Sequence, residues 1–269
     1  MINRNMKTSA NLAKPFEPST RFSDVAAPAR IGGKPLQRFA KRVIDVAGSL
    51  FGLIVFSPLF ALVALAVWAR MGRPILFRQV RAGRGEQPFR LLKFRTMTND
   101  REPTGELRPD SVRLTRLGRF LRSSSLDELP QLINVLLGEL SLVGPRPLPM
   151  RYLPRYSDRQ RLRHCVRPWI TGLAQINGRN ELAWEPRLEL DVKYCEDFSL
   201  WLDIKILAAT VREVALRRGA FDGGKAQEFW GPQGKPADSP DSYPVEENEL
   251  AVLLSKSQTS AAGAAASAN

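Results

Sequence analysis

The longest uncharged stretch of the sequence, Val46 to Ala69 (VAGSLFGLIVFSPLFALVALAVWA), runs 24 residues and carries a proline near its centre. Length alone makes it a membrane-helix candidate, because about 20 apolar residues cross a bilayer core. It lies too far into the chain, and is too long, for a signal-peptide core. Pro58 removes one backbone donor and clashes with the preceding turn, so a straight helix is not expected through Ser57-Pro58. The Ser57 hydroxyl can satisfy a carbonyl that the proline leaves unpaired.

The flanks constrain the segment further. Arg38, Lys41 and Arg42 precede it, and Arg70 and Arg73 follow it. Basic flanks favour the cytoplasmic side, so both ends are drawn to the same face of the membrane. Two arms of about 12 residues, at about 1.5 Å per residue, reach about 18 Å each, little more than half the hydrocarbon thickness. The expected form is a re-entrant helix hairpin over residues 37–73 that enters, bends at Ser57-Pro58 and returns. A kinked full span and a buried soluble helix are the alternatives. Asp45, at the entry, is expected at headgroup level, paired with Lys41 or Arg42.

The remainder reads as α+β and mainly helical: one cytosolic globular domain over residues 74–224, with a short β-hairpin at its start. Residues 74–97 give two short strands around a Gly-containing turn, and RAGRGEQPF within them reads as that turn, since it lacks the Lys-Ser/Thr pair of a phosphate loop. Residues 113–122 form a basic amphipathic stretch. After Asp127, the positions Leu129, Leu132, Ile133, Leu136, Leu137 and Leu140 make an apolar stripe that predicts a core helix. Residues 1–36 are expected to be a disordered arm and residues 225–269 a disordered tail.

A formal charge of +13 implies an anionic partner: phospholipid headgroups, a phosphorylated substrate, or nucleic acid. The six arginines of residues 151–167 come with only two tyrosines, Tyr152 and Tyr156. That favours an anionic bilayer or a diphosphate over nucleic acid. A single histidine, His164, and two cysteines without metal-type spacing argue against a His-rich metal site, a His-based relay or a disulfide framework. Chemistry must then rest on carboxylates, Lys and Arg.

The sharpest local signal is RSSSLDELPQLI, residues 122–133. Ser125-x-x-Glu128 matches a capping box, but Pro130 would then break a bond inside the helix. With Asp127 as the cap, Pro130 falls in the first turn without penalty. In either case the helix dipole is expected to favour the ionised carboxylates. Cap and reaction centre both remain open readings of the pair. Lys93 and Arg95 alternate on a predicted strand and so share a face. Arg122 precedes Asp127 by five residues, and Arg146 is held between two prolines. Together these residues point to a site that handles phosphate: carboxylates for a nucleophile or a divalent metal, and cations for phosphoryl oxygens.

KRVIDVAGSLFGLIVFSPLF, PFRLLKFRTM, SLDELPQL, VGPRP, ITGLAQINGRN and LDVKYCEDFSLWLDIKIL, in this order, resemble the bacterial sugar transferases, the monotopic polyprenyl-phosphate phosphoglycosyl transferases. The resemblance covers residues 38–219 and is closest to the small members of the family. It implies transfer of a sugar-1-phosphate from a UDP-sugar to undecaprenyl phosphate at the cytoplasmic face of the bacterial inner membrane, as the first membrane step of a lipid-linked surface glycan. It also implies Asp127 as a nucleophile forming a covalent phosphosugar intermediate, Glu128 as the Mg²⁺-associated carboxylate, and Arg122 and Arg146 as phosphate-binding or site-organising residues. Lys93 and Arg95 match in position. Ser57-Pro58 matches the family's helix break. Cys165, Trp169 and Leu173 depart from the family pattern, and Trp169 stands where a turn glycine is usual. A catalytically altered, membrane-anchored interaction protein is the rival reading, and the sequence leaves a homo-oligomer open.

Overall fold

The computed structural model describes residue 22, residues 31–178 and 182–215, and residues 229 and 231. Most of the predicted arm and tail therefore lies outside the described residues. Two helices open the described fold, α1 (Pro35–Val55) and α2 (Ser57–Met71). They meet at a 64° bend, and neither is long and apolar enough by itself to cross a membrane. The break falls where Pro58 predicts it. A helix continued through Pro58 would leave the Ile54 carbonyl without its donor; instead Ser57 Oγ donates to that carbonyl at 2.8 Å.

The two arms are patterned inside out. The face of α1 turned to the rest of the protein carries Lys41, Asp45, Ser49 and Gly52, all buried. Its outer surface, continuing onto α2, exposes Leu50, Phe51, Ile54, Leu62, Leu65 and Trp68. A helix hydrophobic on its outer face and polar on its inner one inverts the pattern of a water-soluble surface helix.

The inner face explains why the basic flank is not free. Lys41 Nζ forms a buried ion pair with Asp203 at 2.7 Å. Arg42 donates to the carbonyls of Val135 and Leu136. Arg38 bonds the carbonyls of Ile31 and Gly32. The expectation that Asp45 pairs with Lys41 or Arg42 is thus corrected. Asp45 faces inward and accepts from Ser141 Oγ (3.0 Å) and the Leu142 N–H (2.9 Å).

The hairpin predicted for residues 74–97 is present as antiparallel β1 (Leu76–Ala82) and β2 (Pro88–Phe94), in the register Phe77–Lys93 and Arg81–Phe89. Gly85 and Glu86, both at positive φ, close the turn. Short helices α3 (Asp110–Arg113) and α4 (Arg116–Ser123) follow, then α5 (Gln131–Leu137). Beyond them, β3 (Ser141–Val143) pairs in parallel with β4 (Trp169–Thr171), with α6 (Asp158–Arg161) between them. Helices α7 (Leu173–Ile176), α8 (Trp184–Glu196) and α9 (Leu200–Ala215) complete the described fold, which is α+β and mainly helical.

The stripe predicted for α5 is only partly a core stripe. The buried positions of α5 are Gln131, Asn134 and Val135, while Leu137 is 67% exposed. Leu132 instead meets α1, close to the bare Cα of Gly52. The reason is that two surfaces compete for this short helix. One is α1, which takes leucines; the other is the backbone of β2, which needs hydrogen-bonding side chains.

The arginine-rich stretch of residues 151–167 is not a free headgroup patch. Arg161 is paired with Glu86 at 2.7 Å and Arg163 with Asp191 at 2.5 Å, both pairs buried. Arg159 bonds Glu189 and Glu196, and Arg167 bonds the Gly138 carbonyl. Trp169 lies within β4 and needs no positive φ, so the glycine usual at this position is not required by the backbone. Its buried ring covers Gly172, where a Cβ would come within 2.5 Å of it.

Candidate active site

Asp127 and Glu128 sit in a single 3₁₀ turn, Leu126–Glu128, wedged between α4 and α5. Neither capping arrangement expected from the sequence is present. Ser125 caps nothing with its side chain and adopts left-handed backbone (φ 58°), and Pro130, not Asp127, is the residue that precedes α5. A non-glycine residue at positive φ is uncommon and costs free energy, and such strain concentrates at functional sites. Here it reverses the chain after α4, so that Asp127 turns inward and is buried.

The flanking leucines fix the depth of the turn. Leu126 and Leu129 pack against the cluster formed by Val63 and Val67 of α2, Phe94 of β2 and Leu121 of α4. The carboxylates are therefore mounted directly on the second arm of the apolar hairpin.

β2 supplies the cation. Lys93 Nζ lies 2.7 Å from Glu128 Oε1 and 3.9 Å from Asp127 Oδ2. Asn134, buried on α5, holds that strand in place: its Oδ1 accepts the Leu92 N–H at 3.0 Å and its Nδ2 donates to the Arg90 carbonyl at 2.8 Å. A side-chain amide that replaces a missing strand partner leaves no backbone group unpaired beside Lys93. The sequence reading missed Asn134. Its signal was an amide on what read as an apolar stripe.

Arg122 completes the cluster from α4. Its Nε donates to Thr96 Oγ1 at 3.0 Å. The approach of α4 depends on Gly118, where a Cβ would lie 1.8 Å from the Thr96 carbonyl oxygen. Burial lowers the guanidinium's pKa, while Asp127 opposes that shift.

Burial likewise dominates at Asp127, whose carboxyl is pushed up to about 6. Lys93 pulls it down, Glu128 pushes it up, and Arg122 and its own backbone N–H pull it down in turn. The helix-dipole expectation of a favoured carboxylate is thereby reversed in sign, because α5 begins only after the turn and desolvation outweighs any dipole.

The two other predicted basic residues lie elsewhere. Arg95, just past β2, is buried and bonds the carbonyls of Met97 (2.9 Å), Met71 (3.0 Å) and Arg73 (3.3 Å). It clips the end of α2 to the exit of β2, supplying donors to carbonyls that a helix end leaves unpaired. Arg146 is exposed and is not among the charged neighbours of Asp127. Its electrostatic neighbours include Arg81, Arg187 and Asp191. His164 and Cys195 are buried among structural contacts, His164 Nδ1 lying against the Gly83 carbonyl.

No group of three or more His, Cys, Asp or Glu side chains gathers among the described residues. The Asp127–Glu128 pair nonetheless suits Mg²⁺, which commonly takes one or two carboxylates and draws its remaining ligands from water and substrate phosphates.

Comparison with known proteins agrees with this arrangement. A family model described as bacterial sugar transferase matches residues 36–217. The uncharacterized sugar transferase EpsL of Bacillus subtilis is 52% identical over 179 residues, 66% of this chain and 89% of that protein. A UDP-glucose:undecaprenyl-phosphate glucose-1-phosphate transferase of Caulobacter vibrioides is 41% identical over 204 residues, 70% of this chain and 76% of that one. The enzyme of the same name from Klebsiella pneumoniae is 43% identical over 192 residues, 67% of this chain, but only 41% of its own length is covered. The matched segment begins with the bent helix pair and runs through the carboxylate turn to α9, and on this ground the chain belongs to the bacterial sugar transferase family.

Proposed function

We propose that this protein is a phosphoglycosyl transferase that moves a sugar-1-phosphate from a UDP-sugar to undecaprenyl phosphate, with Asp127 as the nucleophile. One observation carries the reading: a buried carboxylate with Lys93 and Arg122 beside it, mounted on an apolar hairpin. The names of the relatives support both the donor and the acceptor.

In the first step an Asp127 carboxylate oxygen bonds to the phosphorus that carries the sugar. The bond from that phosphorus to the bridging oxygen of the diphosphate breaks, and UMP leaves with the electron pair. In the second, an oxygen of undecaprenyl phosphate attacks the same phosphorus and the aspartyl bond breaks. Undecaprenyl diphosphate-sugar forms and Asp127 is restored. A carboxylate nucleophile thus divides one difficult transfer into two easier ones.

Lys93 holds the Glu128 carboxylate and lowers the proton affinity of Asp127, so more of the nucleophile is ionised near neutrality. Arg122 offers a guanidinium to the equatorial phosphoryl oxygens, where charge accumulates during transfer. Bound at Glu128, with Asp127 adjacent, Mg²⁺ would neutralise diphosphate charge. The bent, outwardly apolar hairpin fits re-entrant insertion from the cytoplasmic side of the inner membrane. That insertion would bring Asp127 to the depth at which a polyprenyl phosphate presents its headgroup.

Incubation with labelled UDP-sugars, Mg²⁺ and undecaprenyl phosphate tests the reading. Labelled lipid and released UMP are expected. Absence of both with every UDP-hexose would favour the anchored interaction protein.

A further inference from the structure

A second group of cations, apart from the carboxylate turn, has too few counter-charges. Arg81 ends β1, Arg187 lies in the first turn of α8, and Arg146 adds to the positive potential at both. The Nε atoms of Arg81 and Arg187 are buried without a hydrogen-bond partner among the described residues. Arg151 adds to the positive potential at Arg81. The nearby carboxylate, Asp191, is committed to Arg163 through Nε (3.2 Å) and Nη2 (2.5 Å). Buried guanidinium donors without an anion are costly, and such a fork matches phosphate.

Resting on the transfer reading above, we propose that Arg81, Arg146 and Arg187 form a basket for the phosphate of the leaving nucleoside monophosphate. Strand geometry supports the placement. Phe77 faces Lys93 and Arg81 faces Phe89 across the hairpin, so Arg81 and Lys93 share one sheet face, four residues apart. At about 3.3 Å per residue the separation is about 13 Å. A diphosphate with its ribose bridges that gap; a single phosphate does not. Arg81 is held toward this face by Gln79, whose Oε1 accepts from its Nη2. Arg187 is fixed by the Leu182 carbonyl at 2.9 Å and by the Trp184 ring, 4.6 Å from its Cζ. Arg146 is steadied by the Gln175 amide oxygen at 2.8 Å in the amide orientation that also satisfies the Ile170 carbonyl. Two fixed guanidinium groups and one exposed one make a site that holds the nucleotide while phosphorus changes partners.

The test is calorimetric titration of the full-length, detergent-purified protein with UMP, alongside donor kinetics. Arg187→Gln and Arg146→Gln are expected to weaken UMP at least tenfold and to raise donor KM similarly, with kcat changed less than threefold. Arg187→Lys should recover part of the loss. Arg146 is exposed, so its variant reports even where a change at Arg81 or Arg187 unfolds the protein. Wild-type affinity for UMP in both Gln variants would overturn the basket and leave the transfer reading intact. Absence of UMP binding by the wild type would also overturn it. UMP binding that these variants lose, in a protein that transfers no sugar-phosphate, would uphold the basket and sink the transferase reading. Displacement of bound UMP by a short prenyl phosphate, but not by UDP, would reassign the site to the acceptor and overturn the proposal.

Discussion

Lys93 and Glu128 are 35 positions apart in the chain, yet their charged atoms lie 2.7 Å apart, with Asp127 Oδ2 at 3.9 Å from the same ammonium. One lysine therefore serves both carboxylates. It pairs directly with one and biases the protonation of the other.

The nucleophile assignment predicts a variant that is inactive but more stable. Asp127→Asn should abolish transfer and any trappable phosphosugar adduct; an active Asn enzyme would refute the assignment. Because the folded pKa of about 6 lies above the ordinary 3.8, folding favours the protonated acid. That stabilisation is complete below about pH 3.8 and is lost as pH rises through about 6. Removing the charge should thus stabilise the protein at neutral pH, by about 3 kcal/mol at most, read as a raised Tm.

The same titration sets an acidic limb on activity. Transfer should fall as pH drops through about 6, as the Asp127 carboxylate is protonated. Lys93→Gln removes the leading influence that lowers this pKa, so its limb should move to higher pH. At pH 7 the variant should lose roughly 10–100-fold in kcat. An unmoved limb would show that Asp127 does not govern it.

Asn134 is a positioning residue. Asn134→Ala leaves the Leu92 N–H and the Arg90 carbonyl without this partner, and should cost about 2–3 kcal/mol in chemical denaturation. The kcat should fall with the acid limb displaced, as Lys93 loosens from Glu128. Asn134→Asp should not rescue it, because a carboxylate would face the Arg90 carbonyl and Glu139. An acid limb left in place would mark the residue as purely structural.

The buried Lys41–Asp203 pair joins the hairpin to α9, and Tyr194 also donates to Asp203 at 2.7 Å. Asp203→Ala should destabilise by about 3–5 kcal/mol, since it strands a buried ammonium. The double variant Lys41→Met/Asp203→Leu should recover most of that loss. Equal destabilisation of single and double variants in urea melts would rule out the pair as the cause.

Topology follows from the bend. Reporter cysteines placed as Leu36→Cys and Arg73→Cys, in a Cys165→Ser background, should both resist an impermeant maleimide in intact cells. Both should label after lysis. Labelling of one alone from outside would replace the re-entrant hairpin with a span.

Several features were legible in the sequence because they are local. Pro58 forbids a continuous hydrogen-bond ladder wherever it sits, so the break between α1 and α2 was readable from two residues. The β1–β2 hairpin followed from strand patterning around glycines, and the adjacency of Asp127 and Glu128 is covalent. What the sequence left undecided is which distant groups meet them. Lys93 and Arg95 alternate identically on paper, but β2 ends between them, and only Lys93 reaches the carboxylates while Arg95 bonds the end of α2. The leucine pattern after Asp127 promised a core stripe, but periodicity cannot say whether a helix faces a core, a strand backbone or an apolar anchor. Asn134 and the shifted acidity of Asp127 belong to the same class. Both arise from burial by segments far away in the chain, and only the tertiary structure decides what a side chain is buried against.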